Sequence, residues 1–219
     1  MKKFNRLDAA AFIIWLLPAA YLFHIYPTLP ASLPIHFGID GKPDGYGDKN
    51  DLLKTIAILM ITDIAIYFLL RFLPAIDPKK TASLGEGLFQ KLALTVVFFL
   101  SGLGVIILVA STHQGIQINN ILLPALGIMF AFIGNLMHNI KPNYFAGIRT
   151  PWTLEDPENW RETHRLASKL WFVGGIVLTV LTLILPAVAS FVVFMISVAI
   201  LALVPVIYSF IYFKKHQVK

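Results

Sequence analysis

Residues 170–213 read LWFVGGIVLTVLTLILPAVASFVVFMISVAILALVPVIYSFIYF and contain no Asp, Glu, Lys or Arg in 44 positions. A helix needs about 20 apolar residues to cross the hydrocarbon of a bilayer, so this run is too long for one crossing and long enough for two. Pro186 and Ser190, near its middle, predict the turn between them. The run therefore predicts two consecutive transmembrane helices.

Four more apolar blocks of spanning length precede this run. The composition agrees with a membrane protein, because 57% of the residues are hydrophobic and only 14% are charged, whereas soluble domains have about 25% charged residues. The first block follows basic residues, as in a signal peptide, but lacks a clear cleavage site, so we expect a retained first span. The sequence predicts an all-α, polytopic transmembrane bundle of six spans, the first four at 9–26, 52–73, 88–111 and 121–137.

The 18 Lys and Arg residues are distributed asymmetrically between the two sides of such a bundle. With the N-terminus in the cytoplasm, only Lys42, Lys49 and Lys54 fall outside, as the positive-inside rule requires. We therefore predict that both termini are cytoplasmic. The net charge of +6 comes from basic residues at the ends of the apolar blocks, where membrane topology places them. We therefore predict no direct nucleic-acid binding. The residues predicted inside are Lys2, Lys3, Arg6, Arg71, Lys79, Lys80, Lys91, Lys141, Arg149, Arg161, Arg165, Lys169, Lys214, Lys215 and Lys219.

Two long polar loops organise the predicted domains. Residues 1–75 form an N-terminal two-span unit with an extracytoplasmic loop at 27–51. Residues 76–219 form a four-span unit with a cytoplasmic loop and amphipathic helix at 138–169. Functional residues concentrate in loops that a rigid scaffold positions, so we expect the functional residues in these two segments.

The outer loop is rich in Pro, Gly and Asp, which predicts turns rather than a long helix. Asp40 and Asp44 each precede a glycine, and residues 32–37 are expected to be extended because residues before proline favour that backbone. Asp48 is placed to cap the second span. The acids lack the spacing of an EF-hand, so we predict no metal site. His36 and Asp44 are the candidate functional residues of this loop.

The inner loop divides into an irregular part and a helix. Asp156 is a good N-cap, and Pro157 suits the first helical position. Glu158 and Glu162 each stand three residues before an arginine, which favours ion pairs along a helix. The pattern predicts an amphipathic helix at the cytoplasmic interface that continues into the fifth span.

Two interpretations of the inner loop remain open. In one, its aromatic and basic residues anchor the chain at the membrane interface. In the other, Arg149, His164 and Arg165 form a polar cluster that binds a ligand. The candidate functional residues of this loop are Lys141, Asn143, Arg149, Trp152, Trp160, His164 and Arg165.

Asp63 lies near the centre of the second span. A charged Asp there costs about 2.5–3.5 kcal/mol on insertion scales, and such residues are functional candidates by default. The structural alternative is a hydrogen bond between helices, to Asn135 or to a threonine. Asp63 and Asn135 are therefore the candidate intramembrane residues.

Motifs of known catalytic chemistry are missing from the sequence. It has no His-Glu-x-x-His, no Gly-x-Ser-x-Gly and no phosphate-binding loop. It also has no cysteine, which excludes disulfides and thiolate chemistry. We predict a protein that is not an enzyme and needs no cofactor or metal. The alternatives are a small proton-coupled transporter or peptide exporter that uses Asp63, and a membrane-embedded enzyme that uses the cytoplasmic polar cluster with His138.

Both loops resemble those of a known family. Gly134-Asn135, KPNYF at 141–145, GIRTPWTL at 147–154, Trp160 and THR at 163–165 resemble the signature of the SdpI family of bacterial immunity proteins. In the outer loop, Leu33-Pro34, His36-Phe37, Gly41 and Pro43-Asp44-Gly45 resemble the domain of unknown function that often precedes it.

The resemblance implies a multi-span protein of a bacterial plasma membrane with an immunity function. The best-known member of the family protects its producer from a secreted, membrane-damaging peptide toxin. It also acts as a receptor that holds a transcriptional repressor at the membrane. For this chain the resemblance implies three partners: the lipid bilayer, a peptide toxin at the outer loop, and a cytoplasmic repressor at the inner loop and Lys214-Lys215.

Overall fold

The structure is a computed structural model that describes residues 4–76, 86–113 and 115–217. Six of the seven α-helices in these ranges are long and apolar enough to cross a membrane, which confirms the six predicted spans. Lys2, Lys3, Lys79, Lys80 and Lys219 lie outside the described residues, and the orientation of the termini stays a prediction. The helices are α1 Arg6–Ile25, α2 Lys49–Ile76, α3 Glu86–Thr112, α4 Asn119–Met137, α5 Pro151–Glu155, α6 Pro157–Ile184 and α7 Ala187–Gln217.

Side-chain caps begin the helices where the sequence predicts them. The Oδ1 atom of Asp48 accepts hydrogen bonds from two N–H groups in the first turn of α2, at 2.7 and 2.9 Å. Asp156 caps α6, and Pro157 occupies its first turn. Both predicted glutamate–arginine pairs form along α6, at 2.5 and 3.0 Å. α6 and α7 separate at Pro186 as predicted, while Ser190 lies inside α7.

The six long helices pack as two groups of three. α3 packs against α1 and α2, whereas α4 packs against α6 and, less extensively, α7, which packs mainly on α6. The groups meet where α3 contacts α4. The predicted domain boundary at residue 75 lies at the end of α2, so α3 belongs by packing to the first group.

Small residues allow α4 and α6 to approach backbone to backbone. A Cβ atom added to Gly134 would overlap the backbone nitrogen of Phe172, and one added to Gly175 would overlap that of Ala131. The Ser168 hydroxyl donates to the Gly134 carbonyl oxygen at 2.7 Å. Close packing of this kind stabilises helix pairs in membranes, where the hydrophobic effect does not.

We expect Gly134→Leu to lower the free energy of unfolding by about 3 kcal/mol, the upper end for overpacking, because the obstructing atoms belong to the backbone. Unfolding by dodecyl sulfate in mixed micelles measures the change. Gly102→Leu is the matched control, since a Cβ at Gly102 of α3 meets no atom within 4 Å. Equal stability of the two variants would contradict the assigned α4–α6 contact.

The outer loop forms an antiparallel hairpin of β1 Leu33–Phe37 and β2 Pro43–Gly47. This confirms the extended segment predicted at 32–37. The second strand was not predicted, because its sequence PDGYG has residues that strands disfavour. Gly41 makes the turn with a φ of 74°, and its carbonyl oxygen accepts from the N–H of Ile118 at 3.0 Å. The Asn119 amide donates to the Ile39 carbonyl oxygen at 2.8 Å, which fixes the hairpin to the start of α4.

Candidate functional site

Asn143 organises the signature loop, residues 138–156, from within. Its side-chain oxygen accepts hydrogen bonds from the N–H groups of Phe145 at 2.8 Å and Ala146 at 2.7 Å. Its amide nitrogen donates to the carbonyl oxygens of Lys141 at 2.9 Å and Ala146 at 3.1 Å. The buried amide thus uses both donors and both lone pairs inside the loop. Asn143 therefore shapes the loop rather than facing a partner.

His164 fastens the signature loop to α6. Its Nδ1 donates to the Trp160 carbonyl oxygen at 2.8 Å, and its Nε2 accepts from the Ile148 N–H at 3.1 Å. The imidazole also stacks on the indole of Trp160, with ring centroids 4.1 Å apart. The Trp160 indole N–H donates to the Ile140 carbonyl oxygen at 2.7 Å, so α6 holds the loop near its start and at its middle.

Trp152 closes the signature loop onto the end of α7. Its indole N–H donates to the Ser209 hydroxyl at 2.7 Å. Its ring packs on Phe210 and Phe213, with centroids 5.3 and 5.8 Å away. The Asn159 amide donates to the Ser209 carbonyl oxygen at 3.0 Å. The sequence did not predict a role for Asn159 or Ser209. Ser209 is an isolated polar residue in an apolar helix, and Asn159 is one of many polar residues at the start of α6.

The basic candidates of the signature loop lie apart from this buried set. Lys141 is exposed, and Arg149 donates to the Tyr144 carbonyl oxygen at 2.7 Å. Arg165 is exposed and pairs with the glutamate one turn earlier at 3.0 Å. His164 is only 1% exposed. His164 faces inward on α6, whereas Arg165 on the same helix and Arg149 in the preceding loop are exposed. The structure therefore does not support the interpretation in which these three side chains form one polar cluster.

His36 and Asp44 come together across the hairpin, as a hydrogen-bonded pair of Nδ1 and Oδ1. Their side chains are 73% and 52% exposed. Gly45 stands opposite His36, where a Cβ would lie 2.9 Å from the histidine Cβ. The two outer candidates thus share one accessible surface.

A groove of about 970 Å³ lies between this hairpin and the helices. Its walls come from α2, α3, α4 and α7, and its rim is formed by hairpin residues. Ligand sites in proteins usually enclose about 300–1,000 Å³, so the hairpin groove is large enough for a ligand. Its apolar wall residues are Leu103, Ile107, Leu122, Leu126, Phe191 and Phe194, and its polar rim residues include His36, Asp40, Lys42 and Asp44.

Asp63 is buried between α2 and α3. Its Oδ2 accepts a hydrogen bond from the Ser101 hydroxyl at 2.9 Å, and its Oδ1 has no hydrogen-bond partner among the described residues. The predicted hydrogen bond from Asp63 to Asn135 does not form. Asn135 is exposed on α4, beside a lateral pocket, and α4 does not face Asp63. The hydrogen bond between helices exists, but it joins α2 to α3.

A second buried polar set, missed by sequence reasoning, joins the ends of α1, α2 and α3. The Arg71 guanidinium donates from Nε to Oδ1 of Asp8 at 2.8 Å and from a terminal nitrogen to Oδ2 at 3.2 Å. The Gln90 amide donates to Asp8 at 2.9 Å, and the Tyr67 hydroxyl also donates to it. Asn5 caps α1 and exchanges hydrogen bonds with Gln90. The sequence contains one indication of this set, because Asp8 is an acid directly before the first apolar block.

Comparison with known proteins identifies the same two loops. Residues 139–209 match the SdpI/YfhL protein family, and residues 13–61 match a domain of unknown function, DUF1648. The chain is 29% identical over 158 residues to the Immunity protein SdpI of Bacillus subtilis (strain 168), an alignment that covers 72% of each chain. No solved structure matches the chain. The resemblance drawn from the loops is confirmed: this chain is a multi-pass protein of a bacterial membrane, with a DUF1648 region at 13–61 and an SdpI/YfhL family region at 139–209.

Proposed function

We propose that this chain is a non-enzymatic membrane immunity protein that protects a bacterial cell from a secreted, membrane-active peptide. The observation that carries the proposal is its similarity to an immunity protein over 72% of both chains. The two family regions include the hairpin and the signature loop, so the similarity includes both polar ends of the bundle.

Complementation tests the proposal. This chain is expressed in Bacillus subtilis strain 168 from which the gene for Immunity protein SdpI has been deleted, and the cells are grown with the wild-type strain. We expect survival close to that of cells that carry the native immunity gene, and an empty vector is the control. Survival no better than with the empty vector, with the protein inserted in the membrane, contradicts the proposal.

The finer role that the resemblance implies is a receptor that holds a transcriptional repressor. We place it at the signature-loop end, where Lys141, Tyr144, Phe145 and Arg149 are exposed around the buried residues of the loop. A reporter fused to the immunity promoter of strain 168 tests this role. Induction by the peptide fraction only when this chain is present supports it, whereas protection without induction restricts the chain to immunity.

A transport function is the second candidate, because Oδ1 of buried Asp63 lacks a partner among the described residues. Under the immunity proposal, Asp63→Asn leaves protection within about twofold of wild type, since asparagine still accepts the bond from Ser101. Under proton-coupled transport, the loss of the ionisable group abolishes protection. The peptide concentration that halves growth is the measurement, and membrane content of the variant is its control.

A further inference from the structure

We propose that the hairpin groove is the toxin site, and that it binds an apolar peptide segment that carries a cationic group. This inference rests on the proposed immunity function and adds the location and the chemistry of the ligand. The groove contains both outer candidates, His36 and Asp44, at its rim.

The walls of the groove require an apolar occupant. α3 contributes Leu103 and Ile107, α4 contributes Leu122 and Leu126, and α7 contributes Phe191 and Phe194. These side chains belong to membrane spans, and no charged wall residue lies among them. A peptide that enters must satisfy its own backbone hydrogen bonds, so a helical turn with apolar side chains fits this depth.

The rim favours a cation. Asp40 and Asp44 are 44% and 52% exposed there. Asp40 lies 4.0 Å from the Lys42 ammonium and Asp44 is hydrogen-bonded to His36, so one lysine and one histidine face the two carboxylates of the rim. In the outer segment 27–51, four Asp residues outnumber two Lys residues, although the whole chain has a net charge of +6. A surface with an excess of acids attracts cationic groups and repels anionic ones.

Charge therefore distinguishes a peptide from the lipid that surrounds the protein. An anionic phospholipid such as phosphatidylglycerol would bring its phosphate to the carboxylates of Asp40 and Asp44, which is repulsive at close range. A peptide with an ammonium or guanidinium group beside its apolar face gains an attraction at the same position. The walls and the rim together select an amphipathic, cationic peptide.

Substitutions that fill the groove test the location. Leu126→Trp places a large side chain in the groove, and Ile121→Trp places it on the exposed side of the same helix, outside the groove. In the complementation assay we expect Leu126→Trp to reduce protection at least about tenfold, the size of effect for loss of a buried contact in a binding site, and Ile121→Trp to preserve it.

Neutralising the rim tests the charge. Asp40→Asn combined with Asp44→Asn keeps the side-chain shapes and removes both charges. We expect about a tenfold loss of protection and a weaker dependence on salt, because the screened attraction is gone. Glu158→Gln removes a half-exposed charge on α6, at the opposite end of the bundle and outside the signature loop, and is expected to change neither.

Direct shielding keeps the proposal testable if a filled variant folds poorly. The chain has no cysteine, so Ile39→Cys at the rim and Asn50→Cys outside the groove give single reactive thiols. In nanodiscs, the secreted peptide fraction of strain 168 should slow maleimide labelling at position 39 and leave position 50 unchanged.

The outcomes separate this inference from the proposed function. If wild type gives no protection, the immunity function fails. If wild type and Leu126→Trp protect equally, or position 39 is not shielded, the groove is not the site and the inference is overturned. If labelling at position 39 is already slow in phosphatidylglycerol nanodiscs without peptide, relative to detergent micelles, the groove is occupied by lipid and the inference is also overturned.

Discussion

Arg71→Met is expected to lower the free energy of unfolding by about 3–5 kcal/mol, because it leaves Asp8 as an uncompensated buried charge. The lost contacts include the two hydrogen bonds from the guanidinium to Asp8, at 2.8 and 3.2 Å. Both side chains are less than a tenth exposed, so water cannot replace them. Unfolding by dodecyl sulfate in mixed micelles, followed by circular dichroism, measures the loss.

A matched control and a rescue separate the buried pair from ordinary surface charge. Arg161→Met removes a shorter pair with Glu158, at 2.5 Å, and a looser one with Glu162, at 3.6 Å. The Arg161 side chain is 68% exposed, so the variant is expected to cost less than about 1 kcal/mol. Adding Asp8→Asn to Arg71→Met should restore most of the stability, because asparagine can still accept from Tyr67 and Gln90. Equal losses for Arg71→Met and Arg161→Met would contradict this account.

Gly147→Ala is expected to disrupt the signature loop. The φ of Gly147 is 104°, and holding an alanine in such a conformation costs about 1–3 kcal/mol. A Cβ would also overlap Nε2 of His164, which accepts the Ile148 N–H, so the imidazole has to leave its stack on Trp160. Hydrogen exchange of the Ile148 amide and proteolysis of residues 138–156 measure the opening.

Comparison with Gly115→Ala separates the cost of the backbone conformation from the cost of the overlap with His164. Gly115 has a comparable φ of 89°, but a Cβ there meets no atom within 4 Å. We expect Gly115→Ala to show the backbone cost alone and to leave protection of the Ile148 amide unchanged. If both variants lose the same stability and neither opens the loop, His164 does not fasten it.

The spans were predictable because a bilayer imposes a length on every crossing. The run at 170–213 contains two helices and Pro186 divides them, and both facts follow from counting apolar residues. The caps at Asp48 and Asp156 were predictable for a similar reason, since they depend on neighbours in sequence. The hairpin was only half predictable, because β2 is held by contacts with β1 and not by its own preferences.

The candidate residues were harder to interpret, because composition does not say which side of a helix faces inward. Asn143, Trp160 and His164 were among the predicted functional residues, and all three are buried within the signature loop and α6. The sequence does not predict the pair of Asp8 and Arg71, because 63 positions separate the two residues. Only the packing of α1, α2 and α3 makes them neighbours.

The backbone contact of α4 with α6 has a mechanical consequence. Two helices whose backbones are in direct contact cannot slide past each other without repacking, so we expect α4 and α6, with α7 packed on α6, to move as one unit. One end of this three-helix unit contributes walls of the hairpin groove, and the other end contacts the signature loop. A small tilt of these three helices at the contact between α3 and α4 would move the groove walls and the signature loop together. Such a tilt requires no unfolding of the chain.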